Sequence, residues 1–232
     1  MKLDKSKENI GGMFDEIAHR YDFLNHLFTA NLDKRWRRQI VSFILSKKLK
    51  TDVIVDIASG TGDMLLELIK LNPEEAYAFD ISHKMLEILE KKIINPKLTV
   101  KVADSENIPL DSESADIVTI GFGVRNFENL AGSLNEINRI LKKGGYLIVL
   151  EMFNFERRNR FFEYYFTRIM PLAGKIISKS DSAYSYLHSS VMNFKTVSEF
   201  SGIALKQGFS LEFRKNNFLN FVHTVYLRKQ IY

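Results

Sequence analysis

The stretch Asp52-Val53-Ile54-Val55-Asp56-Ile57-Ala58-Ser59-Gly60-Thr61-Gly62-Asp63 decides how this chain is read. Its first half is an apolar run of the kind that fills the middle of a parallel sheet. The run ends in a turn of small residues with glycines two apart, and Met64 to Leu71 continues with Leu65, Leu68 and Ile69 at helical spacing. Strand, small-residue turn and helix in immediate succession leave unpaired backbone N–H groups where a ligand can approach them closely. A dinucleotide fingerprint would need a third glycine three residues after Gly62, and that position is Leu65. No Gly-Lys-Ser/Thr follows, which excludes a P-loop. Acids stand at both ends of the turn, Asp56 and Asp63, and would repel a pyrophosphate.

Outward from this turn the pattern repeats. Ala76 to Asp80 reads as a second strand, and Ser82 to Lys92 as a helix with Ser82 at its N-cap. Leu98 to Asp104 is a third strand, and Ala115 to Ile120 a fourth that runs into Gly121-Phe122-Gly123. Leu130 to Leu141 reads as a helix closed by Lys142-Lys143-Gly144-Gly145, a basic end with a glycine stop, before a buried fifth strand from Tyr146 to Glu151. Such alternation predicts an α/β fold around a parallel sheet. Residues 1–51 read as mostly helical, and Ser210 to Arg214 and Phe221 to Arg228 as two late strands after a turn at Gly208. If adjacent, that pair runs antiparallel, because so short a connection cannot make a parallel crossover. No Pro-, Gly- or Ser-rich linker divides the chain. The expectation is one domain over 1–232, with a helical cap over 1–51, a core over 52–153, a covering helical region over 154–209 and final strands over 210–232.

Composition bounds the function classes. The 232 residues are 45% apolar and 26% charged, which is globular rather than disordered. Twelve Gly, four Pro and no Cys exclude collagen-like, disulfide-stapled and zinc-finger architectures. No apolar run approaches the roughly 18 residues of a membrane-spanning helix. Met1 to Asn9 is polar with no apolar region behind it, so the expected location is cytoplasmic. The net charge is +5, but the basic residues are scattered in pairs such as Arg37-Arg38 and Lys91-Lys92, which argues against a nucleic-acid partner. Eighteen Phe and nine Tyr are an excess, and seven aromatics between Phe153 and Phe166 surround Arg157, Arg158 and Arg160. That mixture suits a membrane surface, a lid over a substrate, or a contact in a homodimer.

An acid-flanked turn suits a cationic ligand, and S-adenosylmethionine carries a sulfonium and an α-ammonium group. Asp80, eighteen residues after Gly62, ends the second strand, where a carboxylate can accept both ribose hydroxyls. Asp104 ends the third strand within reach of an adenine amino group, with Ser105 beside it. Glycines and acids end strands in many folds, so the turn alone leaves a purely structural reading open. Three acids at the carboxyl ends of successive strands favour a ligand crevice.

These residues carry a resemblance. Asp56-x-Ala58-x-Gly60-Thr61-Gly62-Asp63 resembles motif I of class I S-adenosylmethionine-dependent methyltransferases. Gly121-Phe122-Gly123-Val124-Arg125-Asn126 is similar to the Phe-Gly-x-Arg-Asn signature of the ubiquinone/menaquinone biosynthesis C-methyltransferase family, as are Leu141-Lys142-Lys143-Gly144-Gly145 and Leu150-Glu151 to its later motifs. Two more specific blocks resemble the same family: Tyr21-Asp22-x-x-Asn25 with Thr29 and Trp36-Arg37-Arg38, and Pro171-Leu172-Ala173-Gly174, Asp181 and Tyr184-x-Tyr186-Leu187-x-x-Ser190. The resemblance runs from about Met13 to Phe209. Motif I is shared by many methyltransferases, whereas the other blocks are narrower. Asn31 stands for a usual Gly and Lys143 for a usual Pro, and Gly121 lacks a serine hydroxyl common there. Asn220 and Phe221 stand where the family commonly shows Gly-Gly.

The resemblance implies a Rossmann-like class I methyltransferase fold: a mostly parallel seven-stranded sheet, its last strand antiparallel, helices on both faces, an N-terminal helical segment and an aromatic-rich insertion after the fifth strand. It implies methyl transfer from S-adenosylmethionine to a ring carbon of a lipid-tailed quinol, demethylmenaquinol or a benzoquinol, with peripheral membrane contact. Cofactor contacts fall on Thr61, Asp80, Asp104 and Ser105, and Asp56, Ala58, Gly60, Gly62, Ile81 and Gly121 complete the candidate cofactor set. Arg125 is the candidate partner of a substrate phenolate, with Asn126 as hydrogen-bonding companion and, as the structural alternative, capping of strand carbonyls by Arg125 or its pairing with Asp104. Asp63 is a candidate general base or a helix cap, and Tyr21, Asn25 and Tyr184 are candidate substrate contacts. Five His without Cys, His19 and His26 among them, suggest no metal site. The competing readings are a methyltransferase acting on another phenol or a sterol, and an RNA methyltransferase.

Overall fold

Strand β1 (Val53–Ile57) occupies the middle of a seven-stranded sheet whose other members are β2 (Glu75–Asp80), β3 (Leu98–Val102), β4 (Ala115–Gly121), β5 (Leu141–Met152), β6 (Phe209–Phe218) and β7 (Val222–Lys229). The order is β3-β2-β1-β4-β5-β7-β6 in the computed structural model, which describes residues 5–29, 31–156, 186 and 189–231. Strands β1 to β5 pair in parallel, and β7 runs antiparallel to both β5 and β6. The chain therefore winds outward from β1 through β2 to β3, then returns to start again at β4. The crevice where an open parallel sheet binds its ligands lies at that reversal, beyond the carboxyl ends of β1 and β4.

Helices α1 (Lys7–Phe28), α2 (Leu32–Ser46), α3 (Asp63–Leu68), α4 (His83–Lys92), α5 (Leu130–Ile140) and α6 (Val197–Lys206) cover the sheet. Successive strand residues point to opposite faces, and both faces of the central strands β1 and β4 are buried, whereas the edge strands β3 and β6 are largely open. Val55, Val118 and Leu147 pack with Leu134 and Ile137 of α5 and Phe200 of α6. Ile54, Ile117 and Ile148 pack with Trp36, Ile40 and Ile44 of α2 on the other face. A smaller cluster joins Leu65 of α3 and Leu86 and Leu89 of α4 to Ala76 and Ala78 of β2.

Most of the expected local signals act as anticipated. Ser82 accepts the Met85 N–H at 3.2 Å as the N-cap of α4. Asn31 holds φ +60°, the left-handed backbone that Asn tolerates. The glycine pair after α5 behaves differently. Helix α5 stops at Ile140 and β5 begins at once, with Leu141 paired to Ala115 and Tyr146 to Ile117. Lys142 to Gly145 are extra residues bulging from this long strand, with Gly144 at φ +75°, rather than a helix stop. The β6–β7 hairpin turns through Leu219 and Asn220, both at positive φ (+46° and +56°), closed by the Phe221 N–H donating to the Phe218 carbonyl at 2.8 Å.

The aromatic excess divides in two. Phe153 is fully buried, with ring centroids 5.7 and 5.4 Å from Phe194 and Phe200, and Phe155 stacks on Phe221 at 5.4 Å. Residues 157–166, and with them the expectation of a lid, membrane face or dimer contact, lie outside the described residues. Among the described residues no helix is long and apolar enough to cross a membrane.

Candidate active site

The turn after β1 is shaped by close approach. Gly62 has φ +87°, and a Cβ there would lie 2.8 Å from Leu89 Cγ, so the start of α3 can sit against α4 only without a side chain. A Cβ on Gly123 would overlap that of Ala58, so the end of β4 also leans on the turn. Ser59 fastens it by donating to the Asp56 carbonyl at 2.7 Å.

Two clefts meet at Ala58 and Gly60. The larger holds ≈ 680 Å³ of empty space, part of it open to solvent, and is lined by Asp80, Ile81, Asp104, Ser105 and Asn126 among others. The smaller, ≈ 360 Å³, is lined by Thr61, Asp56, Asp63, Gly121, Asn25 and Arg37 among others. Of the ten anticipated cofactor residues, nine line one or other of these adjoining clefts, and Gly62 lines neither. Tyr184 lies outside the described residues, as does the side chain of Tyr21 on α1.

Asp80 Oδ2 accepts the Gly60 N–H and Oδ1 the Ser82 N–H, each at 2.8 Å. Burial pushes its carboxyl upward, opposed by these backbone bonds. A carboxylate has about four acceptor sites, and with the Ile81 N–H also acting on Asp80 about one remains for a ligand hydroxyl. Asp104 Oδ1 accepts the Glu106 N–H at 3.1 Å, and its Oδ2 pairs with Lys7 of α1. Ser105 Oγ lies 2.8 Å from Ser133 Oγ on α5, which ties the third strand's end to that helix. Asp56 is fully buried: Oδ1 accepts the Thr119 hydroxyl, but Oδ2 has no hydrogen-bond partner. Burial raises its carboxyl to about 7.

The catalytic candidates are held differently from the sequence expectation. Arg125 is buried and pairs with Glu151 of β5, Nη1 to Oε1 at 2.7 Å, not with Asp104. The same nitrogen donates to the Phe122 carbonyl at 2.5 Å, and Nε to Ser190 Oγ at 3.3 Å. Arg125 itself lines neither cleft, and other cations do. Lys5 and Lys7 line the larger cleft, and Lys5 donates to the Arg125 carbonyl at 2.6 Å. Burial and then Arg125 push the Lys5 ammonium down. Asn126 faces the larger cleft and accepts the Tyr186 hydroxyl at 2.9 Å.

Asp63 is not the N-cap of α3, a position taken by Gly62, but its first helical residue. Its carboxylate pairs with Lys92 and lies 3.6 Å from Arg37 Nη1 and 3.5 Å from His26 Nε2. His26 is half-buried, and its Nδ1 sits 2.8 Å from Asp33 Oδ2. His26, Asp33 and Asp63 converge as a metal's ligands would, but Arg37 and Lys92 already neutralise both carboxylates, so the group is an ion-pair hub. Burial pushes the Asp33 carboxyl upward, yet the Thr29 hydroxyl and Arg37 hold it below the ordinary range.

Helix α1 supplies contacts that local motifs did not announce. Ile10 and Phe14 line the larger cleft, Asp15 accepts the Ser82 hydroxyl at 2.6 Å, and Asp22 accepts the Thr61 hydroxyl. The signal available was Asp22 within the Tyr-Asp-Asn block; Lys5 and Lys7 carried none.

A family model described as the ubiE/COQ5 methyltransferase family matches residues 1–223. A demethylmenaquinone methyltransferase of Bacteroides fragilis is 34% identical over 222 residues, covering 92% of this chain and 90% of its own. The ubiquinone/menaquinone biosynthesis C-methyltransferase UbiE of Geotalea uraniireducens is 38% identical over 217 residues, covering 90% and 91%. A solved SAM-dependent methyltransferase of Thermotoga maritima superposes with a TM-score of 0.65 at 22% identity, over 94% of this chain and 99% of that one, a likeness of fold.

Proposed function

The chain belongs to the ubiE/COQ5 methyltransferase family, and on that premise we propose that its crevice holds S-adenosylmethionine for C-methylation of a polyprenylated quinol. The substrate we favour is demethylmenaquinol, with a benzoquinol of ubiquinone biosynthesis as the second. One observation carries the cofactor reading: Asp56 Oδ2, fully buried and without a partner, lines a cleft continuous with the acids that end β2 and β3. A buried carboxylate oxygen with no donor is costly, and an α-ammonium group supplies the donor it lacks. In this reading Asp80 accepts ribose hydroxyls and Asp104 an adenine amino group, with Ala58, Gly60, Thr61, Ile81, Ser105 and Gly121 forming the walls.

S-adenosylmethionine supplies a methyl group made electrophilic by its sulfonium. A quinol ring carbon becomes nucleophilic when a neighbouring hydroxyl gives up its proton to solvent and the phenolate pushes charge onto the ring. The proton on the carbon that takes the methyl is then released to solvent, which restores the aromatic ring. The protein's part is to hold that carbon in line and to favour the phenolate. Asn126 is assigned to contact the substrate, because it faces the cleft. Arg125, locked to Glu151, acts as a positioning residue that fixes Asn126 and adds its field to the site. Asn25, Tyr21 and Tyr184 are proposed to border the substrate. Asp63, engaged by Lys92, serves to anchor α1 and α4 rather than to take a proton. A polyprenyl tail resides in a bilayer, so peripheral membrane contact belongs to the same reading.

The test is to supply labelled S-adenosylmethionine with demethylmenaquinol, a demethylated benzoquinol and RNA. Label in a quinol ring supports the proposal; label in RNA alone, or in none of the three, overturns it.

A further inference from the structure

Arg37 belongs to the Trp36-Arg37-Arg38 block and is buried at 5% exposure, an unusual place for a charged side chain. Its Nη1 pairs with Asp33 Oδ2 and lies 3.6 Å from Asp63 Oδ2, so that edge of the guanidinium is accounted for. Its Nε is also buried and has no hydrogen-bond partner. The guanidinium carbon lies over the ring of Phe122, 5.8 Å from its centroid. Arg37 lines the smaller cleft together with Asp56, whose Oδ2 is the other unpartnered buried atom there.

One cleft is therefore lined by a buried donor and a buried acceptor of opposite charge that act on each other through their charges while neither atom has a hydrogen-bond partner. A zwitterionic amino acid end is the complement of that pair: its ammonium group satisfies the carboxylate and its carboxylate the guanidinium. A purely cationic ligand would leave Arg37 Nε without an acceptor.

We propose that Arg37 binds the α-carboxylate of the methyl donor and makes the site selective for a donor with an intact amino acid end over a decarboxylated one. The proposal rests on the reading that this crevice holds S-adenosylmethionine. In it, the acids of the crevice rim select the positive groups of the donor and Arg37 alone of the smaller cleft's lining residues recognises the negative one.

The test is a binding cycle by calorimetry, without quinol and without turnover. Wild-type protein is titrated with S-adenosylmethionine and with decarboxylated S-adenosylmethionine, which keeps the sulfonium and the ammonium group. A hydrogen bond between charged groups in a buried site corresponds to roughly ten- to hundredfold in affinity, and that preference is expected for the intact ligand. Arg37→Met is expected to reduce the preference to within about threefold by weakening the intact ligand, while the decarboxylated one changes little. Arg37→Lys, which keeps the charge but loses the fork, is expected to fall between. Equal affinity of the wild type for both ligands overturns the role of Arg37, as does an undiminished preference in both variants. The ligand comparison on wild type alone stands even where Arg37→Met fails to fold. A wild-type protein that binds neither ligand overturns the cofactor reading itself.

Discussion

Replacing Asp56 by Asn separates what the buried carboxylate costs the fold from what it does for ligand binding. Burial lifts this carboxyl from 3.8 to about 7. A group raised in the folded state binds its proton more tightly there, so folding stability falls as pH rises from 3.8 to about 7. Above that window the cost is complete, roughly 4 kcal/mol for three pK units, and below it the cost is absent. Asn keeps an oxygen for the Thr119 hydroxyl but puts an amide where Oδ2 lacked a donor, leaving N–H groups without acceptors at about 1–3 kcal/mol. At pH 8 the ligand-free variant should therefore be more stable than wild type by about 1–3 kcal/mol, or about 2–4 °C in Tm for each kcal/mol in a chain this long. At pH 5 the wild-type cost is under about 2 kcal/mol and the advantage vanishes. The assay is thermal unfolding of both proteins across pH 5 to 8 without ligand, with S-adenosylmethionine titrated into each at pH 8. Affinity should fall at least tenfold in the more stable protein. A Tm difference that does not change with pH, or a variant less stable at pH 8, refutes the account.

Arg125→Ala leaves Glu151 buried without its cation and should cost about 3–5 kcal/mol in denaturant unfolding, and Glu151→Gln added to it should recover part of that loss. Turnover of the folded single variant should fall far more than its affinity for S-adenosylmethionine; near-normal turnover would remove Arg125 from the site. Leu219 holds a left-handed conformation that a branched side chain resists, so Leu219→Asn should raise stability by about 0.5–1 kcal/mol, read as a higher Tm. His223 is buried with no hydrogen bond of ordinary geometry to either ring nitrogen, although the Asn220 backbone favours its protonation. Burial, with Arg214, outweighs Asn220 and Glu156 and lowers its proton affinity, so the unfolded chain binds the proton more tightly and stability declines as pH falls through 6.5. His223→Leu should flatten that decline in a pH series of unfolding curves, and an unchanged slope would count against it.

The parts of this molecule that could be read in advance are those whose cause is local. Ser82 caps α4 because its hydroxyl needs only an N–H three residues on, and Asn31 bends because its own side chain tolerates the backbone required. Asp56, Asp80 and Asp104 were legible because each ends a strand, and parallel strands align their ends. Gly144 and Gly145 were misread because a glycine pair after a helix looks the same whether the chain stops or bulges. What decides it is β4, whose Ala115 already pairs with Leu141. The rest of the site arrives from a distance. Lys5 meets the Arg125 carbonyl across 120 residues, and Arg125 finds Glu151 only because β5 lies beside β4. Arg37 was visible as part of a motif, but its free edge depends on how α2 seats Asp33 beneath it.

Helix α1 crosses the carboxyl ends of three strands, held at Asp104 by Lys7, at Ser82 by Asp15, and at Thr61 and Lys92 by Asp22. The two outer fastenings are ion pairs within reach of solvent: Lys7 is exposed at 49%, and Asp104, Lys92 and Asp22 are half-buried at 22%, 27% and 32%. Dissolved salt screens such charges over roughly 8–10 Å, whereas the apolar clusters beneath the sheet are indifferent to it. Ionic strength therefore acts selectively on the mouth of the crevice. Small ligands should exchange faster in concentrated salt, at a melting temperature that barely moves, so the openness of this site is set by its medium as much as by its sequence.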